Sequence, residues 1–176
     1  SKKPNWVEIF ESILDFPQKE NALLGRSVTA NLFITSSALA EAGAFEEDTF
    51  SGADYQFTRR ATLQGFKIVF GEKVTVKHPA RNSIAQIRKK ARRVVGGLYE
   101  LRQVDANMAK QFSVKVLIED ALPPFHAIRS CLDRKKTQNL AWKNIIKAVC
   151  IAWHNKIYRL YLKLSLLLGI GIKAER

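Results

Sequence analysis

The chain changes character just after Pro79. Before it, short apolar stretches alternate with glycine stops and β-rich runs. After it, basic residues recur at helical spacing with few breaks. The proline ring fixes its own φ and pushes His78 out of helical conformation, so no helix is expected to run through this point. The boundary falls near 81–83. The expected fold class is therefore α/β, with few short strands in residues 1–82 and a mostly α-helical basic region over residues 83–176.

In the first part, Trp6, Val7, Ile9, Phe10, Ile13 and Leu14 have helical spacing, and Phe16-Pro17 stops that helix. Gly25 marks a loop, and Ser27–Ile34 reads as a strand. Thr35-Ser36-Ser37 caps a short helix, Ala38–Ala42, which Gly43 ends. Phe45-Glu-Glu-Asp48 is an acidic loop. Gly52 turns the chain into a helix, Ala53–Gln64, capped by Gly65, and Lys67–Phe70 and Lys73–Lys77 follow as strands. In the second part, Ser83 caps a helix from Ile84 to about Leu101, with Gly96-Gly97 as a weak point. Further helices are expected over Phe112–Leu122, from Phe125 to about Leu132, and from Thr137 to about Leu168, where Gly169 and Gly171 end the last one. Asp133-Arg-Lys-Lys136 reads as a solvated charge run.

Net charge is +13, but unevenly placed. Residues 1–80 hold 9 Lys+Arg against 10 Asp+Glu, and residues 81–176 hold 20 against 6. The cationic part asks for an anionic partner: membrane lipid, nucleic acid or phosphate groups. Nucleic acid is the lesser reading, since no nucleic-acid motif accompanies the charge. Cys131 and Cys150 form no C-x-x-C, which argues against zinc and leaves nothing that demands an oxidising compartment. The opening Ser1-Lys-Lys-Pro-Asn5 has no signal-peptide pattern. The longest apolar run, Leu164–Ile172, falls short of the roughly 20 residues a spanning helix needs.

Several residues stand where rigid elements present chemistry. Asp54 opens a helix after a glycine turn. An ionised carboxylate there can take a proton from a hydroxyl, or simply cap its own helix. His78 ends an expected strand, as a metal ligand, a phosphate contact or a backbone-bonded structural residue. Arg81, Arg88 and Arg92 begin the basic region. The last two, four apart, share a helix face that suits phosphate or is ordinary exposed surface. Asn31, polar in an apolar run, pins a loop or touches ligand. In the last helix, Ile145, Ile146, Val149, Trp153, Ile157, Leu160, Tyr161 and Leu164 recur at helical spacing beside Lys143, Lys147, Lys156, Arg159 and Lys163. That composition suits a helix lying in a membrane interface with its cations at the headgroups, or one packed on the domain with basic residues outward.

Taken in order, Thr29-Ala-Asn-Leu-Phe33, Gly43-Ala-Phe-Glu-Glu47, Ser51-Gly-Ala-Asp54, Phe57, Arg60, Gly65-Phe-Lys-Ile68 and Val76-Lys-His-Pro-Ala-Arg81 resemble the C-terminal half of a family 2 glycosyltransferase, inverting and of the GT-A fold. The series covers roughly residues 17–97. The resemblance implies that residues 1–82 are the C-terminal part of a GT-A type, Rossmann-like catalytic domain. Asp54 would be the catalytic base and His78 a ligand of a magnesium or manganese ion. Asn31, Gly52, Ala53, Arg81, Arg88 and Arg92 would bind substrate, the arginines at the leaving-group phosphates. The donor would be a nucleotide sugar, and the cationic amphipathic helices point to a glycan or lipid-linked acceptor of cell-envelope polysaccharide. The protein would sit peripherally at the cytoplasmic face of the membrane. Two departures stand out. Ala53 takes the place of the usual Gly or Glu, and no Asp-x-Asp occurs in the chain. The resemblance thus implies a piece of a longer protein, one part of a split enzyme with a separate N-terminal half, or a relic, and a chain that is inactive alone without that motif.

Overall fold

The computed structural model describes residues 3–14, 17–47, 49, 51–138 and 140–170, and side chains within these except 134–138. Phe16 of the first stop, Asp48 of the acidic loop, the side chains of the 134–136 charge run and Gly171 therefore lie outside the described residues. The elements in chain order are α1 (Trp6–Leu14), α2 (Gln18–Leu23), a 3-10 turn (Thr29–Asn31), α3 (Ser36–Ala42), α4 (Ala53–Leu63), α5 (Ile84–Leu101), α6 (Ala106–Lys110), α7 (Val114–Ala121), α8 (Phe125–Gln138) and α9 (Trp142–Leu167).

Every regular element among the described residues is helical, which overturns the α/β expectation and with it the GT-A, Rossmann-like part. Ser27–Ile34, Lys67–Phe70 and Lys73–Lys77 form no ladder. A strand exists by pairing, and β-rich composition only says that a segment fits a half-buried pleat. Val28 and Leu32 are extended, but Thr29-Ala-Asn31 between them closes a 3-10 turn. Residues 66–82 hold no helix or strand and are largely exposed.

The chain forms two compact units, one of residues 16–79 and one joining residues 1–15 to 80–176. In the first, α3 packs on α4 around Ala42, Phe57 and Ala61, with Ile34, Phe45 and Phe66 at the margin. The Phe45 and Phe57 rings stack at 4.5 Å. Thr35 caps α3 through its hydroxyl, which accepts from Ala38 N at 3.2 Å, and Gly43 ends the helix at φ +79°.

In the second unit α9 is the hub, packing against α1, α5, α7 and α8. Ile9 and Ile13 of α1 meet Cys131, Ile145 and Ala148 in one cluster, and Ala91 and Val95 of α5 meet Phe112 and Leu162 in another. Ser83 caps α5. That helix runs unbroken through Gly96 and Gly97, both buried, so packing holds the expected weak point. The last helix begins at Trp142 rather than Thr137, because α8 continues through the 133–136 charge run to Gln138.

Candidate functional site

In the unit of residues 16–79, Gly52 adopts φ +100°, a left-handed conformation that lets the chain enter α4 abruptly. Ala53 is the first residue of α4 and Asp54 the second. The Asp54 carboxylate accepts from Tyr55 N (2.9 Å) through Oδ1 and from Thr29 N (3.2 Å) through Oδ2. It therefore does two things at once: it serves the N-terminus of its own helix and ties the 3-10 turn to it. A carboxylate offers about four acceptor positions, so these two bonds leave capacity for a hydroxyl. Asn31, in that same turn, donates from Nδ2 to Val74 O at 3.2 Å and so pins the irregular 66–76 segment. His78 is exposed, its Nδ1 lying 3.0 Å from Pro79 O.

A cavity of about 540 Å³ opens among α2, α3, α4 and two irregular stretches, lined by Asn31, Phe57, Thr58 and Phe66 among others. Of the expected site residues in this unit it takes in Asn31, while Asp54 and His78 stand outside its lining. Arg60, a residue of the resemblance to which the sequence assigned no task, is a clamp. It donates to the carbonyls of Ala42 (2.9 Å) and Ala44 and to Glu46 Oε1 (2.8 Å), holding the loop after α3. No local signal marks that role, because its acceptors lie 14 to 18 residues away.

The three expected phosphate-binding arginines belong to the other unit. Arg81 donates from Nη1 to Glu11 Oε2 at 2.7 Å, against a glutamate side chain that is 3% exposed. Arg88 is exposed, with Nε 3.4 Å from His154 Nε2 and its guanidinium 5.2 Å from the centre of the Tyr158 ring. Arg92 donates to the Tyr158 hydroxyl at 3.1 Å. The shared face of Arg88 and Arg92 thus meets His154 and Tyr158, also four apart, on α9. That matching pair was present in the sequence and is the signal that would have found the contact. Burial first, and the Arg88 charge second, hold the His154 imidazole below its usual pKa. Lys163 is likewise held below the usual lysine range by burial, an effect opposed by its 2.7 Å bond to Asp120.

Among the described residues no group of three or more His, Cys, Asp or Glu is placed to hold a metal ion. His78 alone does not make a divalent-cation site, since magnesium and manganese favour several oxygen ligands.

No family model matches the chain, and no solved structure does. It is similar to glycosyltransferase AglE of Haloferax volcanii, with 28% identity over 152 residues, 84% of this chain and 49% of the relative. The chain spans about half the length of that curated relative, and over that span it is similar to a glycosyltransferase.

Proposed function

We propose that this chain is part of an inverting, family 2 glycosyltransferase that moves a sugar from a nucleotide sugar to a lipid-linked or polysaccharide acceptor. The similarity to a named glycosyltransferase across most of the chain carries this reading. Asp54 is the residue we assign as base. Its carboxylate takes the proton of the acceptor hydroxyl as that oxygen bonds to the anomeric carbon. The carbon–oxygen bond to the nucleoside diphosphate breaks, and the diphosphate leaves with the bonding electrons. Gly52 and Ala53 set the turn that presents Asp54, and Asn31 orders the neighbouring segment. Arg88 and Arg92 are our candidates for phosphate charge, whereas Arg81 is engaged by Glu11. A divalent metal is an expectation of the family resemblance to which we assign no step.

The absence of Asp-x-Asp supports the reading that further sequence completes the enzyme, so the 176-residue chain alone is inactive. No helix among the described residues is long and apolar enough to cross a membrane. The cationic second part supports peripheral attachment to a membrane, for which we propose the cytoplasmic face. The test is Asp54→Asn in the full-length protein, measured as transfer of labelled sugar. Loss of a general base lowers the rate by roughly 10²–10⁴-fold. Unchanged transfer would instead favour a basic helical module that binds anionic lipid, nucleic acid or a partner without catalysis.

A further inference from the structure

α9 buries one side and leaves another exposed. Ile145, Ala148, Ile151 and Leu162 face the other helices, while Trp142, Ile146, Trp153, Ile157, Tyr161 and Leu164 are each 41% to 60% exposed. With exposed Cys150 in the gap, the exposed positions follow in steps of 4, 4, 3, 4, 4 and 3. Eleven residues in three turns is close to the natural pitch of the helix, so the row stays nearly parallel to the axis for about 33 Å. A row that stays on one side of the helix can lie along a flat surface over its whole length.

The two edges of the row differ. On one edge, the sequence expectation of outward cations fails. Lys156 Nζ instead donates to the carbonyls of Glu119 and Leu122 at the end of α7, and Lys163 Nζ is bonded to Asp120. On the other edge, Lys143, Lys147, His154 and Tyr158 share a face at spacings of 4, 7 and 4. Lys143 is exposed, Lys147 sits 5.9 Å over the Trp6 ring, and Arg88 reaches in against His154. The Tyr158 ring beneath Arg88 stacks at 6.1 Å on Tyr161, a member of the row itself. The apolar row is therefore rich in tryptophan and tyrosine and carries cations along a single edge. Both features match the boundary between headgroups and acyl chains of an anionic bilayer.

We infer that α9 lies lengthwise in the headgroup region of an anionic lipid surface, with its apolar row toward the acyl chains and the Lys143–Lys147 edge at the lipid phosphates. This deepens the peripheral-membrane reading above and rests on it, but not on the transfer reaction.

Flotation of the 176-residue chain tests it, with vesicles of phosphatidylcholine alone and of phosphatidylcholine mixed with phosphatidylglycerol. The chain is expected to float with the mixed vesicles, with tryptophan emission shifting to the blue. Ile157→Asp with Leu164→Asp changes exposed positions, so the circular dichroism melt should be kept while binding falls at least about tenfold. Lys143→Gln with Lys147→Gln should lower binding to the mixed vesicles roughly tenfold or more. If the chain floats and the double aspartate variant floats equally well, α9 is not the docking element, although peripheral attachment stands. If the chain floats with neither vesicle, both readings fall. If it does not float but sediments as a dimer that Ile157→Asp dissociates, a second copy covers the row and the inference is wrong.

Discussion

Arg81 Nη1 lies 2.7 Å from Glu11 Oε2, and the glutamate side chain is 3% exposed while the arginine is 22% exposed. The pair joins residue 11 of α1 to the residue that opens the basic region, and Lys90 stands 3.9 Å from the other carboxylate oxygen. Glu11 depends on Arg81, because a buried carboxylate without a close cation is strongly unfavourable. Arg81→Ala should therefore lower stability by up to about 3 kcal/mol, read as a shifted urea midpoint, with the 3.9 Å Lys90 pair left to compensate the Glu11 charge in part. Replacing both members, Arg81→Met with Glu11→Leu, should restore most of that loss. A cost within about 0.5 kcal/mol for Arg81→Ala, as for an exposed ion pair, would return Arg81 to the pool of phosphate-binding candidates.

Asp54 can be tested as cap and as base separately. Asp54→Ala removes the acceptor of both Tyr55 N and Thr29 N, so it should cost about 1 kcal/mol and speed amide exchange at Thr29. Asp54→Asn keeps one acceptor oxygen, so it can hold the bond from Tyr55 N or the one from Thr29 N but sets an NH₂ donor against the other, and it should cost about 0.5 kcal/mol, less than Asp54→Ala. Transfer by the full-length protein should nevertheless fall with both substitutions. If activity tracked stability across the pair, Asp54 would be a structural residue. Gly52→Ala is the companion measurement. At φ +100° a side chain costs roughly 1–2 kcal/mol, and the turn that presents Asp54 would shift with it.

Helix signals in this sequence were local, and the structure keeps them: Thr35 and Ser83 as caps, Gly43, Gly65 and Gly169 at positive φ after their helices. What failed were statements that depend on distant partners. Val28 and Leu32 look like strand because their side chains suit a pleat, yet no ladder forms on either side of them. α2 and α6, of 6 and 5 residues, were missed because so short a helix carries no full hydrophobic period. Lys156 and Lys163 read as outward cations, since nothing local shows that α7 ends where their ammonium groups reach. Asp54 was placed correctly at a helix start, but its bond to Thr29 spans 25 residues and has no local signature.

His154 predicts a pH dependence. Its folded-state pKa lies below 6.5, chiefly through burial and secondarily through Arg88. The unfolded chain then binds the proton more tightly than the folded one. The contribution of this residue to stability is full above pH 6.5 and is lost as pH falls through the folded value. His154→Gln should therefore narrow the stability gap between pH 7.5 and pH 5, with the difference between parent and variant isolating it from titrating carboxylates. Arg88→Gln should raise the His154 pKa in an NMR titration, by less than full exposure would, because the charge is the smaller cause. A His154 that titrates at or above 6.5 would contradict the packing of α5 on α9 described above.

Arg60 offers the sharpest test of whether geometry or charge holds the loop after α3. Its guanidinium reaches Ala42 O, Ala44 O and Glu46 Oε1 together, and Gly43 at φ +79° folds the chain back so that these acceptors converge. A planar fork with several donors suits that arrangement, and the single ammonium of lysine does not. Ala42 is buried, so its carbonyl loses its side-chain partner if the fork is removed. Arg60→Lys keeps the charge but should lose about 1–3 kcal/mol, close to the loss for Arg60→Ala. Glu46→Gln removes only an ion pair whose carboxylate is 53% exposed, and should cost no more than about 0.5 kcal/mol. Urea unfolding supplies the stabilities, and hydrogen exchange over residues 42–46 should quicken in both Arg60 variants and stay unchanged in Glu46→Gln. Should Arg60→Lys match the parent in both measurements, the loop is held by charge alone.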